Sequence, residues 1–295
     1  MVQSTLRDIV RVLGGDLYDG GRRANVPAPG HSAADRSVSL LLRDDRVVVH
    51  SFGAGDWRDV LDDLRGRRLI DADNVLAGGR RAGGRAAADP TQLERQQAAQ
   101  RLWDAGRPVA GTLSERHIRL RGVTRALPGP EVLRHLSEAP VAVYRDGRLR
   151  RPALVAGVQD AAGAYTAVEL TYLESNGQRA AALRLPRKTV GLAPGGCAVR
   201  LDPAAEDLLV AEGLFSTLSA GERFALPAWA LMSTRNLRAW RAPDGVRFVL
   251  IAGDRGTDGE RSARRLAWAL RAHGVRSEIA LPPAPFGDWN EWAQR

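Results

Sequence analysis

Glu212 and Asp254 are the residues whose setting best fits chemistry. A short apolar run, Leu208 to Ala211, stops at Glu212, which Gly213 follows directly. A second run, Phe248 to Gly253, stops at Asp254 inside FVLIAGDRGTDGE. Two strand-like runs that each end on an acid, with a helical pattern between them, place carboxylates side by side at the carboxyl edge of a parallel sheet. Oxygen donors at such an edge make a metal-site geometry.

The elements that must position these acids can be read from hydrophobic periodicity. DLLVA (207–211), PAWAL (227–231), RFVLIAG (247–253) and SEIALP (277–282) have the length and composition of strands. Helical patterns separate them, including one after Gly259 with Ala263, Leu266, Ala267 and Leu270 on one face. Residues 201–295 are therefore expected to form a small parallel α/β domain. The preceding stretch, 91–200, opens with a helix from Thr91 carrying Leu93, Ala98 and Leu102 on one side. Another follows at Thr112, where Glu115 completes a capping box. From residue 140 the period changes to strand alternation around DG, AAGA and ESNG turns, giving a basic α+β middle domain.

Residues 1–70 read as a short helix ended by Gly14 and Gly15. Two strands, SVSLLL and RVVVHSF, and a helix from Trp57 complete a small β unit. Residues 71–90 are rich in Gly, Ala and Arg without apolar periodicity and read as a flexible linker. The expected fold class is thus α/β and α+β multidomain.

Composition bounds the function. Cys197 is the single cysteine, which excludes an internal disulfide and a zinc site built mainly from thiolates. No apolar run approaches the roughly 20 residues of a membrane helix, and the first residues lack a signal-peptide core. A cytoplasmic protein with no membrane partner is expected. The net charge is +9, and of 43 basic residues only Lys188 is a lysine. Residues 71–200 carry 20 basic and 12 acidic side chains, so eight of the nine surplus charges lie there. A basic middle beside a neutral, carboxylate-bearing end fits a metal-dependent enzyme acting on a polyanion. Arg184, Arg187 and Lys188 stand on a short strand and loop of that middle. They read either as charge protecting an edge strand or as a clamp on template or nucleotide phosphates.

The Glu-Gly after the first strand and the aspartate after the later one resemble the Toprim domain shared by primases, topoisomerases and certain nucleases. By that resemblance, Glu212 and Asp254 are catalytic and hold Mg²⁺ or Mn²⁺. Gly256 stands where the family's second aspartate is expected, with Asp258 as the nearest substitute ligand and Asp288 in the DWNEW tail as a further carboxylate. Phe215 and Ser216 stand where related mobile-element proteins show Glu-Thr. The N-terminal unit resembles the zinc ribbon that opens phage-type and bacterial primases, with His31, Ser37, Ser39 and His50 in register. Ala28 or its neighbours, Ser51 and Gly55 replace the cysteines, so no zinc is expected and the unit would pack around Phe52 and Trp57. The order of parts resembles primases of phages, plasmids and integrated elements. The resemblance implies a DNA primase-like nucleotidyltransferase acting on single-stranded DNA and ribonucleotides. There is no Walker A pattern, so a replicative helicase would be a separate chain. The alternatives are a Toprim nucleic-acid-binding accessory protein with weakened catalysis, and a Toprim metal-dependent nuclease.

Overall fold

A computed structural model describes residues 5–33, 35–43, 46–51, 57–77, 90–144 and 147–295. They fall into two compact units, 1–87 and 88–295.

The first unit runs α1 (Leu6–Leu13), β1 (Asp16–Tyr18), a 3-10 turn, β2 (Arg23–Val26), β3 (Val38–Arg43), β4 (Arg46–Ser51) and α2 (Trp57–Gly66). Its strands form an antiparallel sheet in chain order. Leu6, Ile9, Val26, Leu40, Val60 and Leu64 fill the core between sheet and helices. Strands β1 and β2 are too short and polar to show alternation, which is why only β3 and β4 were legible. Trp57, expected inside, is 45% exposed, and Phe52 lies outside the described residues. Residues 71–77, expected in the linker, fold back instead: Val75 bridges Arg46, and Leu76 is buried. The remainder of the expected linker, 78–89, lies outside the described residues.

The second unit begins with α3 (Gln92–Asp104), β5 (Arg107–Pro108) and α4 (Leu113–Leu120). Strands β6 (Leu133–Pro140), β7 (Arg150–Gln159), β8 (Tyr165–Tyr172) and β9 (Arg187–Gly191) then follow β5 in an antiparallel sheet of that order. Thr91 and Glu94 form the capping box of α3, but Leu93 is exposed and the buried face is Ala98, Ala99, Leu102 and Trp103. At α4 the Thr112 hydroxyl accepts from the Ser114 N–H, while Glu115 accepts from Gly111 rather than from Thr112.

The chain continues through β10 (Val199–Arg200), β11 (Asp207–Ala211), α5 (Leu214–Phe224), β12 (Ala228–Ala230), α6 (Thr234–Ala239), β13 (Phe248–Ala252), α7 (Thr257–Ala272), β14 (Arg276–Ala280) and α8 (Trp289–Ala293). The sheet order is β10-β12-β11-β13-β14, with β12, β11, β13 and β14 mutually parallel and β10 antiparallel at one edge. The α/β and α+β organisation read from sequence is the one present, down to the buried face of α7. The two sheets share one core: Ile118, Leu133, Leu154 and Ala156 of the antiparallel part pack with Leu209, Ala211, Leu214, Leu218 and Trp289 of the parallel part. No described helix is long and apolar enough to cross a membrane.

Candidate active site

Strands β11 and β13 are central in the parallel sheet, and their unbroken apolar sequences follow from burial on both faces. Their register pairs Asp207 with Phe248 through Ala211 with Ala252. Glu212 is the first residue beyond the last pair on β11, and Asp254 the second beyond it on β13, so both acids leave the sheet at one carboxyl edge. The Glu212 carbonyl accepts from the Met232 N–H at 2.7 Å, and the backbone N–H of Thr234 at the start of α6 favours its charged carboxylate.

Burial first, and Asp258 second, raise the Glu212 carboxyl above its ordinary value, while Arg187, the Thr234 N–H and Arg238 oppose the shift. Asp254 is pushed up to about 7 by burial, with Glu212 and then Asp288 adding repulsion. Its Oδ1 is buried and meets no donor among the described residues. An acid desolvated in this way without a hydrogen bond is costly. A divalent cation would supply the missing partner and offset the repulsion, so these residues fit a metal ion. Among the described residues no three His, Cys, Asp or Glu side chains gather closely enough to hold one. Two carboxylates are nonetheless what Mg²⁺ commonly takes from protein, with waters and substrate phosphates completing its octahedron.

The DRGTD loop explains the absent second aspartate. Gly256 has φ +112, a conformation that side-chain-bearing residues rarely adopt. At Gly259 the helix approaches so closely that an added Cβ would lie 2.6 Å from the Asp254 carbonyl oxygen. Asp258, in the first turn of α7, is engaged by the Arg238 guanidinium, which also donates to Ser262 Oγ at 2.9 Å. Arg255 ties the loop to the tail, its N–H donating to Gly287 O at 2.7 Å and its Nε to Pro282 O at 2.6 Å. Asp288 then caps α8, accepting from the Glu291 N–H at 2.7 Å. Its charge reaches both Asp254 and Arg121.

The antiparallel sheet supplies cations. Register pairs Arg187 with Thr171 and Thr189 with Glu169, placing these four on one face, while Lys188 opposite Leu170 takes the other. Arg187 acts electrostatically on Glu212, and its Nε lies 3.8 Å from Glu169 Oε2. Lys188 instead donates to Val141 O at 2.6 Å, with Nζ 5.1 Å from the Tyr172 ring centroid, and burial lowers its ammonium to about 8. Arg184 lies in an exposed bend before β9. The expected trio is therefore split, and only Arg187 of the three bears on Glu212.

Sequence reading missed Arg121 and Arg179. Arg121 sits 5.0 Å above the Phe215 ring, and its surroundings include Asp288, Arg179 and Arg187. Phe215 also packs T-shaped with the His117 ring at 5.2 Å between centroids, and His117 Nδ1 bonds to Gly177 O at 2.8 Å. The departure from Glu-Thr at residues 215–216 is thus filled by a ring between two cationic or imidazole groups. Nothing local marks Arg121, because every partner except its own helix is distant in sequence.

Residues 93–201 match the family described as "Domain of unknown function (DUF7146)", and residues 207–295 match the Toprim domain family. No match to a curated protein was found. Similar solved structures include the primase fragment of the bacteriophage T7 primase-helicase, at 15% identity and TM-score 0.38, aligned over 60% of this chain and 64% of that one. The zinc-binding and RNA polymerase domains of Aquifex aeolicus primase align over 98% of this chain and 79% of theirs, at 12% identity and TM-score 0.46. The E. coli primase catalytic core aligns over 66% and 74%, at 13% identity and TM-score 0.42. The chain spans less than two thirds of the T7 fragment. The Toprim resemblance read from Glu212-Gly213 and Asp254 is borne out by the family match over the same residues: the chain carries a stretch, 93–201, that matches DUF7146 and after it one, 207–295, that matches the Toprim domain.

Proposed function

We propose that this chain is a metal-dependent nucleotidyltransferase of the DNA primase type, belonging to a mobile element and joining ribonucleotides on a single-stranded DNA template. The reading is carried by one juxtaposition: at the edge of the parallel sheet Glu212 lies within the field of Arg187, and Asp288, which acts on Asp254, also acts on Arg121, whose other charged neighbours are Arg179 and Arg187. Acids that accept a cation beside guanidiniums that accept phosphates are the two halves of a phosphoryl-transfer site.

Glu212 and Asp254 are the residues to hold Mg²⁺ or Mn²⁺, with Asp288 adding charge behind Asp254 and Asp258 holding Arg238 at the helix mouth. Such an ion, when bound, neutralises phosphoryl oxygens and stabilises the charge of transfer. Arg187 and Arg121 bind and orient the phosphates. Glu212, desolvated and faced by the Thr234 N–H, is placed to accept the proton of the attacking hydroxyl on its carboxylate oxygen.

A second reading, a nucleic-acid-binding Toprim protein without turnover, is favoured by the engagement of Asp258 with Arg238 and by Gly256 in the loop. Purified protein with single-stranded DNA, ribonucleotides and Mg²⁺ or Mn²⁺ separates the two. Primer synthesis abolished by Glu212→Gln supports the first. Binding that survives this change, with no product from the unaltered protein under either metal, replaces it with the second, and strand cleavage without ribonucleotides makes the protein a nuclease.

A further inference from the structure

The Toprim domain carries a second basic surface that neither Glu212 nor Asp254 lines. Helix α7 buries Ala263, Leu266, Ala267 and Leu270, while Trp268 turns outward and is 74% exposed. Trp229, Trp240 and Trp289 of the same domain are buried. An indole so exposed keeps most of its apolar surface free to be covered by a partner.

Trp268 walls a groove of about 720 Å³ between α7 and the segment from Arg238 to Val246. That volume is in the ordinary range of ligand sites, about 300–1,000 Å³. Trp240 and Val246 contribute apolar lining, Arg238, Arg241 and Arg265 line it with guanidiniums, and Asp244 is the one acid among the lining residues. Guanidiniums alone would suit any anion. Guanidiniums with an exposed flat ring and an apolar wall suit an anion that carries flat apolar groups, which is the chemistry of a nucleotide strand. An acidic peptide would leave the indole unused. Arg238 is also the partner of Asp258 and acts on Glu212, so the groove begins where the carboxylate edge ends.

We propose that this groove binds single-stranded nucleic acid, stacking one base on Trp268 while Arg241 and Arg265 contact the flanking phosphates. It extends the strand's path beyond the carboxylate edge. The inference rests on the reading of this chain as a nucleic-acid enzyme, and it assigns a site which that reading does not require.

The test is equilibrium binding of the full chain to an oligothymidylate of about 12 nucleotides, within the span of such sites, and to an abasic strand of equal length, over a range of salt. Trp268→Ala should weaken oligothymidylate binding by roughly tenfold to a hundredfold, as expected for a lost stacking contact, and leave the abasic strand unaffected. Trp268→Phe should recover most of the affinity. Arg265→Ala and Arg241→Ala should each reduce the slope of log K against log salt by about 0.7. Unchanged binding by Trp268→Ala, when the unaltered protein binds, overturns the groove alone. Polyglutamate bound as tightly as the oligonucleotide, and weakened equally by Trp268→Ala, also overturns it. Failure of the unaltered protein to bind either strand overturns the groove and the enzymatic reading together.

Discussion

Asn290 and Arg121 hold each other across most of the second unit. Arg121 Nε donates to Asn290 Oδ1 at 2.5 Å, and Asn290 Nδ2 donates to the Arg121 carbonyl at 2.7 Å and to Ser219 Oγ at 2.9 Å. Asn290 is fully buried. The exchange locks the helix behind Asp288 against the end of α4 and the middle of α5, and so fixes Arg121 and Asp288, the second of which acts on Asp254.

Asn290→Ala removes these three bonds and a fourth, donated by Gln294 Nε2 to Asn290 Oδ1 at 3.1 Å, and leaves the buried partners without replacements. An unsatisfied buried polar group costs about 1–3 kcal/mol, so the substitution should lower unfolding stability by about 3 kcal/mol. The denaturant midpoint should fall while the m-value stays unchanged. A midpoint equal to that of the unaltered protein would show that the clamp contributes nothing.

The contrast between this clamp and the carboxylate pair shows what one sequence can disclose. Glu212 and Asp254 were legible because each ends a local apolar run, and parallel register alone brings the ends together. The α7 face was legible for the same reason, since Ala263, Leu266, Ala267 and Leu270 repeat at helical spacing. Arg121 and Asn290 are 169 residues apart, and no periodicity connects them. Glu169 was hidden differently: on β8 it looks like the polar member of an alternating strand, yet it is only 6% exposed because the parallel sheet's elements share that face's core. Arg187 and Lys188 were read together because they are adjacent, although adjacency on a strand sends side chains to opposite faces.

Gly256→Asp tests whether a second aspartate can simply be restored. The φ of +112 at this position is strained for any residue with a Cβ, at a cost of about 1–3 kcal/mol. Gly256→Asp and Gly256→Ala should therefore lose similar stability, and Gly256→Asp should not tighten Mg²⁺ binding measured by calorimetry. Tighter binding with unchanged stability would show that the loop adopts another conformation.

The protonation of Asp254 predicts two opposite pH dependences. Its folded carboxyl titrates near 7, against an ordinary value of 3.8. Between these values the folded protein holds a proton that the unfolded chain has released, so stability in the absence of metal falls as pH rises from about 4 to about 7. Asp254→Asn should flatten that decline in chemical-denaturation curves. Mg²⁺ must displace the same proton, so its apparent affinity should rise with pH, by about tenfold per unit per proton released, and level off above about 7. A pH-independent Mg²⁺ affinity would remove Asp254 from the ion's ligands.

Arg187 and Lys188 should respond in different assays. Arg187→Ala deletes a guanidinium in the field of Glu212, and it should reduce the salt slope of single-stranded DNA binding by about 0.7; it also leaves the buried Glu169 carboxyl without its neighbouring cation, so stability should fall as well. Lys188→Met keeps the apolar stem but leaves the Val141 carbonyl without its donor, a loss of roughly 1–2 kcal/mol with no change in salt slope. The lysine also leaves a signature at high pH. Burial lowers its folded ammonium to about 8 from 10.5, so between those values the unfolded chain binds the extra proton and stability rises with pH. Lys188→Met should abolish that rise; if it instead lowers the salt slope, the ammonium reaches phosphate and leaves Val141 in the complex.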